Sequence, residues 1–258
     1  MDELGGIGFD QRAWNDTDLP APPPETMHEI RSRAVARAAA IDVEAAVAKR
    51  DERVPLFNAE QRSAFDAIVA DIRESRDATI PPRARLHYVD GPGGSGKTFL
   101  YEGVIHEVHA ENEIALACAF SGIAATLLPG GVTAHKLFGA GPNVSADTPS
   151  QVGAHTAQAE ILRRARVVLW DEAGMSPKAL FAYADKVLQD LTGNVGVPFG
   201  GKIVVVGGDW RQILPVVPFG DRAEVIAATL QMHYTWRENR FRLHRLVSNM
   251  RAATAATT

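Results

Sequence analysis

The sequence lacks several features that would place the protein in a specialised class. Cys118 is the only cysteine among 258 residues, so the chain can form no internal disulfide and no cysteine-based metal cluster. No apolar run reaches the roughly 18 residues needed to cross a bilayer, and the first residues show no secretory signal pattern. We therefore expect a soluble, intracellular protein with no membrane partner, in which Cys118 packs in an apolar core.

The sequence also lacks an excess of positive charge. Lysine and arginine number 27 against 31 aspartates and glutamates, which gives a formal net charge of -4. A protein that binds nucleic acid over a broad surface carries a basic excess. Any site for DNA or RNA must therefore be a local groove. With 46% hydrophobic residues, the chain has the composition of a globular protein.

The composition divides the chain into three regions. Residues 1–24 have little apolar periodicity and end in a proline-rich stretch, so we predict an extended leader. Residues 25–54 are rich in Ala, Arg and Glu and predict a helical extension. From 55 to 258, predicted helices alternate with apolar strands at 86–90, 114–120, 167–170 and 202–206. Strands of this kind are typical of an α/β fold in which helices cover both faces of a parallel sheet.

A glycine-rich loop carries the strongest chemical signal. The stretch GPGGSGKT, at 91–98, follows a predicted strand and precedes a predicted helix, the setting of a phosphate-binding loop. Its glycines let backbone N–H groups turn toward phosphate oxygens, and the helix N-terminus adds the positive end of its dipole. We predict that the loop binds ATP, with Lys97 at the β- and γ-phosphates and Thr98 on Mg²⁺. The predicted nucleotide contacts are Gly91, Gly93, Gly94, Ser95, Gly96, Lys97 and Thr98.

Two carboxylates end another predicted strand. Asp171 and Glu172 follow VVLW, and the carboxyl ends of parallel strands meet at one edge of a sheet, beside the phosphate loop. Asp171 would hold Mg²⁺, directly or through water, and Glu172 would orient or deprotonate the attacking water. Alternatively, the two acids simply begin a solvated helix. Their position in the same domain as the phosphate loop favours hydrolysis of ATP.

Polar residues also follow the most apolar strand of the sequence. The strand KIVVV is followed by GGDWRQ, which would bring Gln212 to the same edge of the sheet, where an amide can sense the γ-phosphate. Asp209 and Arg211 would be its local partners. In the alternative interpretation, the segment is a satisfied turn with Trp210 packed in the core.

In their order along the chain, the motifs resemble those of the Pif family of superfamily I DNA helicases, especially the transposon-encoded and genomic copies of eukaryotes. They are QRSAFDAI, GPGGSGKTFL, SGIAATLLPGGVTAHKLF, LWDEAGM, GGDWRQILPVV and SNMR. The resemblance covers about residues 55–251. It implies a RecA-like P-loop NTPase domain in which ATP hydrolysis drives 5′-to-3′ movement on single-stranded DNA and unwinding at duplex junctions. DNA repair, recombination, telomere maintenance and a nuclear location are what such a family suggests.

The resemblance also assigns nucleotide-site roles. Gln61 would belong to the glutamine motif that reads adenine, although Phe57 stands where a leucine is usual. Gln212 would be the γ-phosphate sensor. Arg251 would stabilise charge on the transferring phosphoryl group.

Four further residues match the family segments that contact single-stranded DNA. They are Thr133, His135, Lys136 and Phe138. Such segments grip the strand through backbone contacts and through stacking on exposed rings. From the sequence alone, His135 could equally be a hydrogen-bonded turn residue and Phe138 a core ring. Trp236 also fits the region of the fourth motif, although a packed tryptophan would look the same.

The sequence departs from the family pattern in its length. Complete members have two RecA-like domains with ATP between them, and the motifs present here belong to the first. We expect the second domain to be missing, as in a fragment, a truncated gene copy or an incomplete gene model, so this chain would bind Mg–ATP weakly and unwind little or no DNA. A non-catalytic ATP- or DNA-binding remnant stays open as an alternative. A P-loop kinase or signalling NTPase is a further alternative that leaves GGDWRQ unexplained.

Overall fold

Six strands form one central sheet in the part of the chain that the structure describes. The computed structural model describes residues 40–141, 143–145, 148–211, 215–248 and 250. The predicted leader and residues 25–39 of the predicted extension lie outside these ranges. The strands are β1 (Arg85–Asp90), β2 (Ile114–Ala119), β3 (Val132–Thr133), β4 (Ala165–Asp171), β5 (Ile203–Gly208) and β6 (Phe241–Arg245). Their spatial order is β3-β2-β4-β5-β1-β6, and every neighbouring pair is parallel.

Helices connect the strands and cover both faces of the sheet. They are α1 (Val43–Arg53), α2 (Ala59–Glu74), α3 (Lys97–Ala110), α4 (Gly122–Thr126), α5 (Ala134–Phe138), α6 (Ala157–Arg164), α7 (Lys178–Thr192), α8 (Arg222–Ala227) and α9 (Tyr234–Arg237). Short 3₁₀ turns occupy Val54–Leu56, Ala173–Met175, Pro198–Gly201 and Leu230–Met232. Several helices begin at a side-chain cap; for α2, Asn58 and Gln61 form a reciprocal capping box. Among the described residues, no helix is long and apolar enough to span a bilayer.

The apolar strands are explained by two cores, one on each face of the sheet. Along β5, Val204 and Val206 pack into one core, while Ile203 and Val205 pack into the other. Successive side chains of a strand point to opposite faces, so a strand buried on both sides must be apolar at every position. Helices α2 and α3 cover one face, and α5, α6 and α7 cover the other. Each fully buried valine contributes on the order of 1.5 kcal/mol or more.

The predicted parallel α/β architecture is confirmed, with two additional strands. The four predicted strands are present with ends shifted by up to two residues, and the structure adds β3 and β6 at the two edges. Helix α1, which lies within the predicted helical extension, packs on α3. The Arg53 guanidinium lies 4.4 Å from the centroid of the Phe99 ring and pairs with Glu102 at 2.5 Å. The end of the predicted extension is therefore part of the domain.

Candidate functional site

The loops after β1, β4 and β5 converge at the carboxyl edge of the sheet. These three strands are neighbours, and the backbone N–H of Gly91, just after β1, donates to the carbonyl of Gly208 at the end of β5. A cleft of about 660 Å³ opens there. Its walls include the glycine-rich loop with Lys97 and Thr98, the acids Asp171 and Glu172, and Asp209. The structure thus brings together the phosphate loop and the acid pair.

Left-handed glycines shape the phosphate loop. Gly94 has φ 85° and Gly96 has φ 83°, a conformation that only glycine adopts without strain. Gly96 is also the N-cap of α3, so the first free N–H groups of that helix face the loop. The Lys97 ammonium folds over the loop and donates to the carbonyls of Gly91 at 2.6 Å and Pro92 at 3.3 Å. The cation therefore lies where an anionic ligand of the loop would meet it.

Gln61 is fully buried and contacts the backbone of the phosphate loop. Its Nε2 donates to the carbonyl of Gly96 at 3.2 Å, and its Oε1 accepts from the backbone N–H of Asn58 at 3.0 Å. A Cβ at Gly96 would collide with the same amide, so the glycine is required by this contact as well. In the described geometry, Gln61 ties α2 to the phosphate loop. Its predicted contact with adenine stays a prediction.

Asp171 ends β4 in a desolvated position. Burial raises the pKa of its carboxyl, while the backbone N–H of Glu172 and the Lys97 ammonium act in the opposite direction. The hydroxyl of Tyr101, from α3, lies close by, and burial raises the pKa of that phenol well above its usual range. A carboxylate that is costly to keep ionised gains from a nearby cation. Together with the Thr98 hydroxyl in the same cleft, Asp171 offers the oxygen ligands that Mg²⁺ prefers.

Glu172 has an uncommon backbone conformation for a side chain of its size. Its φ is 52°, in the left-handed region, where it begins the 3₁₀ turn Ala173–Met175. Non-glycine residues held there store strain, which is typical of functional sites. Its Oε2 accepts a hydrogen bond of 2.7 Å from the hydroxyl of Ser121, which lies just after β2. The carboxylate is thereby linked to the next strand of the sheet.

The two glycines that end β5 make room for two tyrosines. A Cβ at Gly207 would overlap the hydroxyl of Tyr101, and one at Gly208 would come within 2.8 Å of the hydroxyl of Tyr88. Trp210 then stacks on Tyr88, with ring centroids 4.6 Å apart and an interplanar angle of 13°. This matches the alternative interpretation of Trp210 as a packed ring.

The polar residues of the same turn are only partly described. The Asp209 carboxylate accepts from the backbone N–H of Arg211 at 2.9 Å, so it caps the turn. Gln212, the predicted γ-phosphate sensor, lies outside the described residues.

The chain returns to the cleft after β6. The Glu60 carboxylate accepts from the N–H groups of Val247 and Ser248, at 2.8 and 3.2 Å. The N–H of Met250 donates to the carbonyl of Gly94 at 3.0 Å. Met250 of the motif SNMR thus lies at the phosphate loop, and the predicted catalytic residue of that motif, Arg251, lies outside the described residues.

The predicted DNA contacts lie on β3 and α5, and they differ in accessibility. Lys136 is exposed, and His135 is half-buried, which lowers the pKa of its imidazole. The Thr133 hydroxyl accepts from the N–H of Lys136 at 3.2 Å and so caps α5. Phe138 is fully buried and stacks on Trp170 with centroids 5.6 Å apart. The expectation that Phe138 contacts DNA is corrected, because a core ring offers no face to a base.

Other residues of the site were missed at the sequence level. Tyr101 and Ser121 reach the acids from outside their motifs, and Leu56, Leu127 and Met250 line the cleft as apolar side chains. Only Ser121 carried a signal, since a serine directly before a short apolar helix predicts an N-cap. The contacts of the others depend on tertiary packing alone.

Comparisons with known proteins agree with these motifs. The sequence model of the PIF1-like helicase family matches residues 56–258. The chain is 27% identical over 157 residues to the ATP-dependent DNA helicase PIF1 of Trypanosoma brucei brucei, covering 58% of this chain and 15% of that protein. It is 32% identical over 139 residues to the ATP-dependent DNA helicase Pif1 of a Psychrobacter species, covering 53% of this chain and 20% of that protein. Because relatives occur in both a trypanosome and bacteria, the expected eukaryotic origin stays a prediction.

The fold is also found in solved structures of Pif1 proteins. Unliganded Pif1 from a Bacteroides species superposes with a TM-score of 0.58 at 24% identity, over 75% of this chain and 42% of that one. Pif1 from Candida albicans superposes with a TM-score of 0.56 at 21% identity, over 75% of this chain and 40% of that one. These likenesses establish a RecA-like fold for the described domain. With the family model covering most of its length, the chain belongs to the PIF1-like helicase family.

Proposed function

We propose that this chain is a motor lobe of an ATP-dependent DNA helicase that moves 5′ to 3′ on single-stranded DNA. One observation carries the proposal: Lys97 and Thr98, at the start of α3, share a single cleft with Asp171 and Glu172, at the end of β4. A phosphate loop facing an acid pair is the arrangement that hydrolyses a nucleoside triphosphate. Membership of the PIF1-like helicase family supports DNA as the partner that this hydrolysis serves.

Each group in the cleft has a chemical task that its position allows. The N–H groups of the glycine-rich loop and the Lys97 ammonium would bind the β- and γ-phosphates. The Thr98 hydroxyl and the Asp171 carboxylate would hold Mg²⁺, which supplies charge neutralisation at the phosphates when bound. Glu172 would orient the attacking water and accept its proton. These roles follow from the side chains that line the cleft.

The DNA strand is proposed to run over α4 and α5. Both helices begin at the carboxyl edge of the sheet, directly after β2 and β3. Ile123 and Leu127 expose 81% and 63% of their surface there, and Lys136 adds a cation that can contact a phosphate. Exposed apolar side chains beside a cation suit the mixed stacking and backbone contacts of single-stranded nucleic acid. Phe138 has no part in this surface.

The chain spans less than half the length of the relatives it matches. The matched share is 15% of the Trypanosoma protein, 20% of the Psychrobacter protein and 42% of Bacteroides Pif1. A motor of this kind moves when two lobes close on ATP and reopen after hydrolysis. We therefore propose that a second RecA-like domain supplies the groups that complete the transition state. The 258-residue chain by itself would bind Mg–ATP, hydrolyse it slowly and unwind no DNA.

The test compares nucleotide binding and phosphate release by the purified chain with those of Lys97→Ala. We expect the substitution to weaken binding of Mg–ATP by about 10- to 100-fold, the factor for losing a charge-assisted contact. Lys186→Ala, which removes an exposed lysine of α7, should bind like the wild type.

Equal ATP affinity in the wild type and Lys97→Ala would contradict the nucleotide site. Failure of single-stranded DNA to bind or to change the hydrolysis rate would contradict the DNA partner. Rapid DNA-stimulated turnover by the chain alone would contradict the need for a second lobe.

A further inference from the structure

One hydroxyl joins the hydrolysis site to the surface proposed for DNA. The Ser121 Oγ donates to the Glu172 Oε2 at 2.7 Å, and it accepts from the backbone N–H of Ala124 at 3.1 Å. The second bond makes Ser121 the N-cap of α4. The same atom therefore contacts the proposed water-activating carboxylate and begins the helix that carries Ile123 and has Leu127 at its C-cap.

The bond to Ser121 restrains Glu172. A hydroxyl that donates to a carboxylate forms a charge-assisted hydrogen bond, which holds the carboxylate in one orientation. The left-handed backbone at Glu172 fixes the direction in which the side chain leaves the chain. A general base held this way is oriented toward Ser121 and α4, away from the position in which it could accept a proton from an attacking water.

The partner of this bond sits on a weakly packed element. Helix α4 has five residues, and its buried side chains are Ala124 and Ala125. These two alanines pack with Ala119 in a small cluster separate from the two main cores. Because methyl groups bury little area, such a helix can shift at low cost in free energy. The large side chain of the helix, Ile123, and that of its C-cap, Leu127, are mostly exposed instead.

We propose that Ser121 is a positioning residue that keeps Glu172 restrained until single-stranded DNA seats on α4. The inference rests on the proposed function. DNA that contacts Ile123 and Leu127 would displace the N-terminus of α4, lengthen the bond from Ser121 to Glu172 and free the carboxylate for water. The hydrolysis rate thereby becomes dependent on DNA through one hydrogen bond.

The first experiment measures phosphate release from ATP with and without single-stranded DNA. Ser121→Ala should raise the DNA-free rate by about 10- to 100-fold, the range for losing one charge-assisted bond, and leave the DNA-bound rate unchanged. Ser121→Thr keeps the hydroxyl and should restore the wild-type ratio. Thr156→Ala, which removes the N-cap of α6 without touching the acids, controls for the loss of a cap.

The second experiment needs no turnover and reports on the bond itself. Hydrogen exchange of the amides in α4 should accelerate by about threefold or more in Glu172→Ala, although residue 172 is 51 positions away from Ser121. Glu172→Gln keeps an acceptor oxygen and should exchange more slowly than Glu172→Ala. The amides of α6 serve as the internal reference.

An unchanged DNA-free rate in Ser121→Ala, or unchanged α4 exchange in Glu172→Ala, would overturn the inference and leave the proposed function intact. If the chain hydrolyses ATP too slowly to measure, the exchange result decides. A wild-type chain that binds no DNA would instead refute the proposed function, whatever the exchange data show.

Discussion

The two ends of the sheet carry similar residues and use them in opposite ways. At the amino end, charged side chains are paired: Arg166 contacts Glu113 at 2.7 Å, and Glu113 also contacts Arg76 at 3.0 Å. At the carboxyl end, Lys97 and Glu172 form no ion pair among the described residues, although both line one cleft. The amino end compensates its charges and stabilises the fold. The carboxyl end leaves charges available to a ligand, which costs stability.

Desolvated charges show a related contrast. At the carboxyl end, burial raises the pKa of Asp171. At the amino end, Lys202 is desolvated too, but its ammonium donates to the carbonyls of Arg163 and Ala165. The position of a charge along the strands therefore indicates whether it serves folding or chemistry, as the geometry of parallel α/β sheets leads one to expect.

The largest expected effect tests the amino end. Arg166→Met removes the contact with Glu113 and a hydrogen bond to the carbonyl of Ser75. The free energy of unfolding, measured in urea, should therefore fall by about 1–2 kcal/mol. Affinity for Mg–ATP should not change. Arg164→Met, which breaks an exposed pair with Glu160 in α6, should cost about 0.5 kcal/mol or less. Weaker ATP binding by Arg166→Met would show that the two ends are not independent.

A smaller effect of opposite sign tests the carboxyl end. Asp171→Asn removes a desolvated charge but keeps an oxygen that can accept from the N–H of Glu172. We expect a gain of about 0.5–1 kcal/mol in the free energy of unfolding, together with loss of Mg²⁺-dependent hydrolysis. Asp190→Asn, at an exposed position of α7, is the matched control. A loss of stability would mean that Asp171 serves the fold as the amino-end charges do.

The smallest effect is a pH dependence at the amino end. Burial lowers the pKa of Lys202 to about 8, and nearby Arg166 adds to the shift. The unfolded chain keeps an ordinary lysine, so between about pH 8 and 9.5 it binds more protons than the folded chain. The contribution of this group to the free energy of unfolding therefore rises with pH in that window.

The measurement compares urea unfolding at several pH values across that window. In Lys202→Met, the free energy of unfolding should rise less with pH than in the wild type, because the Lys202 contribution is gone. Lys186→Met should show the same rise as the wild type. Parallel curves for the wild type and Lys202→Met would show that the ammonium is not desolvated in solution.

Features that depend on residues close together in the chain could be predicted from the sequence, and features that depend on distant residues could not. The strands β1, β2, β4 and β5 were predictable because burial on both faces makes them apolar throughout. The edge strand β6, FRLHR, was missed because three of its five residues are exposed, and β3 was missed because it has two residues. The phosphate loop and the acid pair were predictable because each motif is contiguous.

The remaining site features involve residues far apart in the chain. Gln61 behind Gly96, Ser121 beside Glu172 and Tyr101 beside Asp171 are contacts that no local pattern encodes. The burial of Phe138 is of the same kind, since TAHKLF fits an exposed DNA-contacting segment as well as a helix packed on Trp170.

The fold class, the family, and the groups that can bind a triphosphate and activate water could all be predicted from the amino-acid sequence. Those properties reside in periodicity and in short motifs, which constrain the backbone locally. The burial of Phe138, the packing of α1 on α3 and the serine hydroxyl that joins Glu172 to α4 exist only in the folded chain. These outcomes depend on which side chains meet across the sheet, because packing and hydrogen bonding act between residues brought close only by folding.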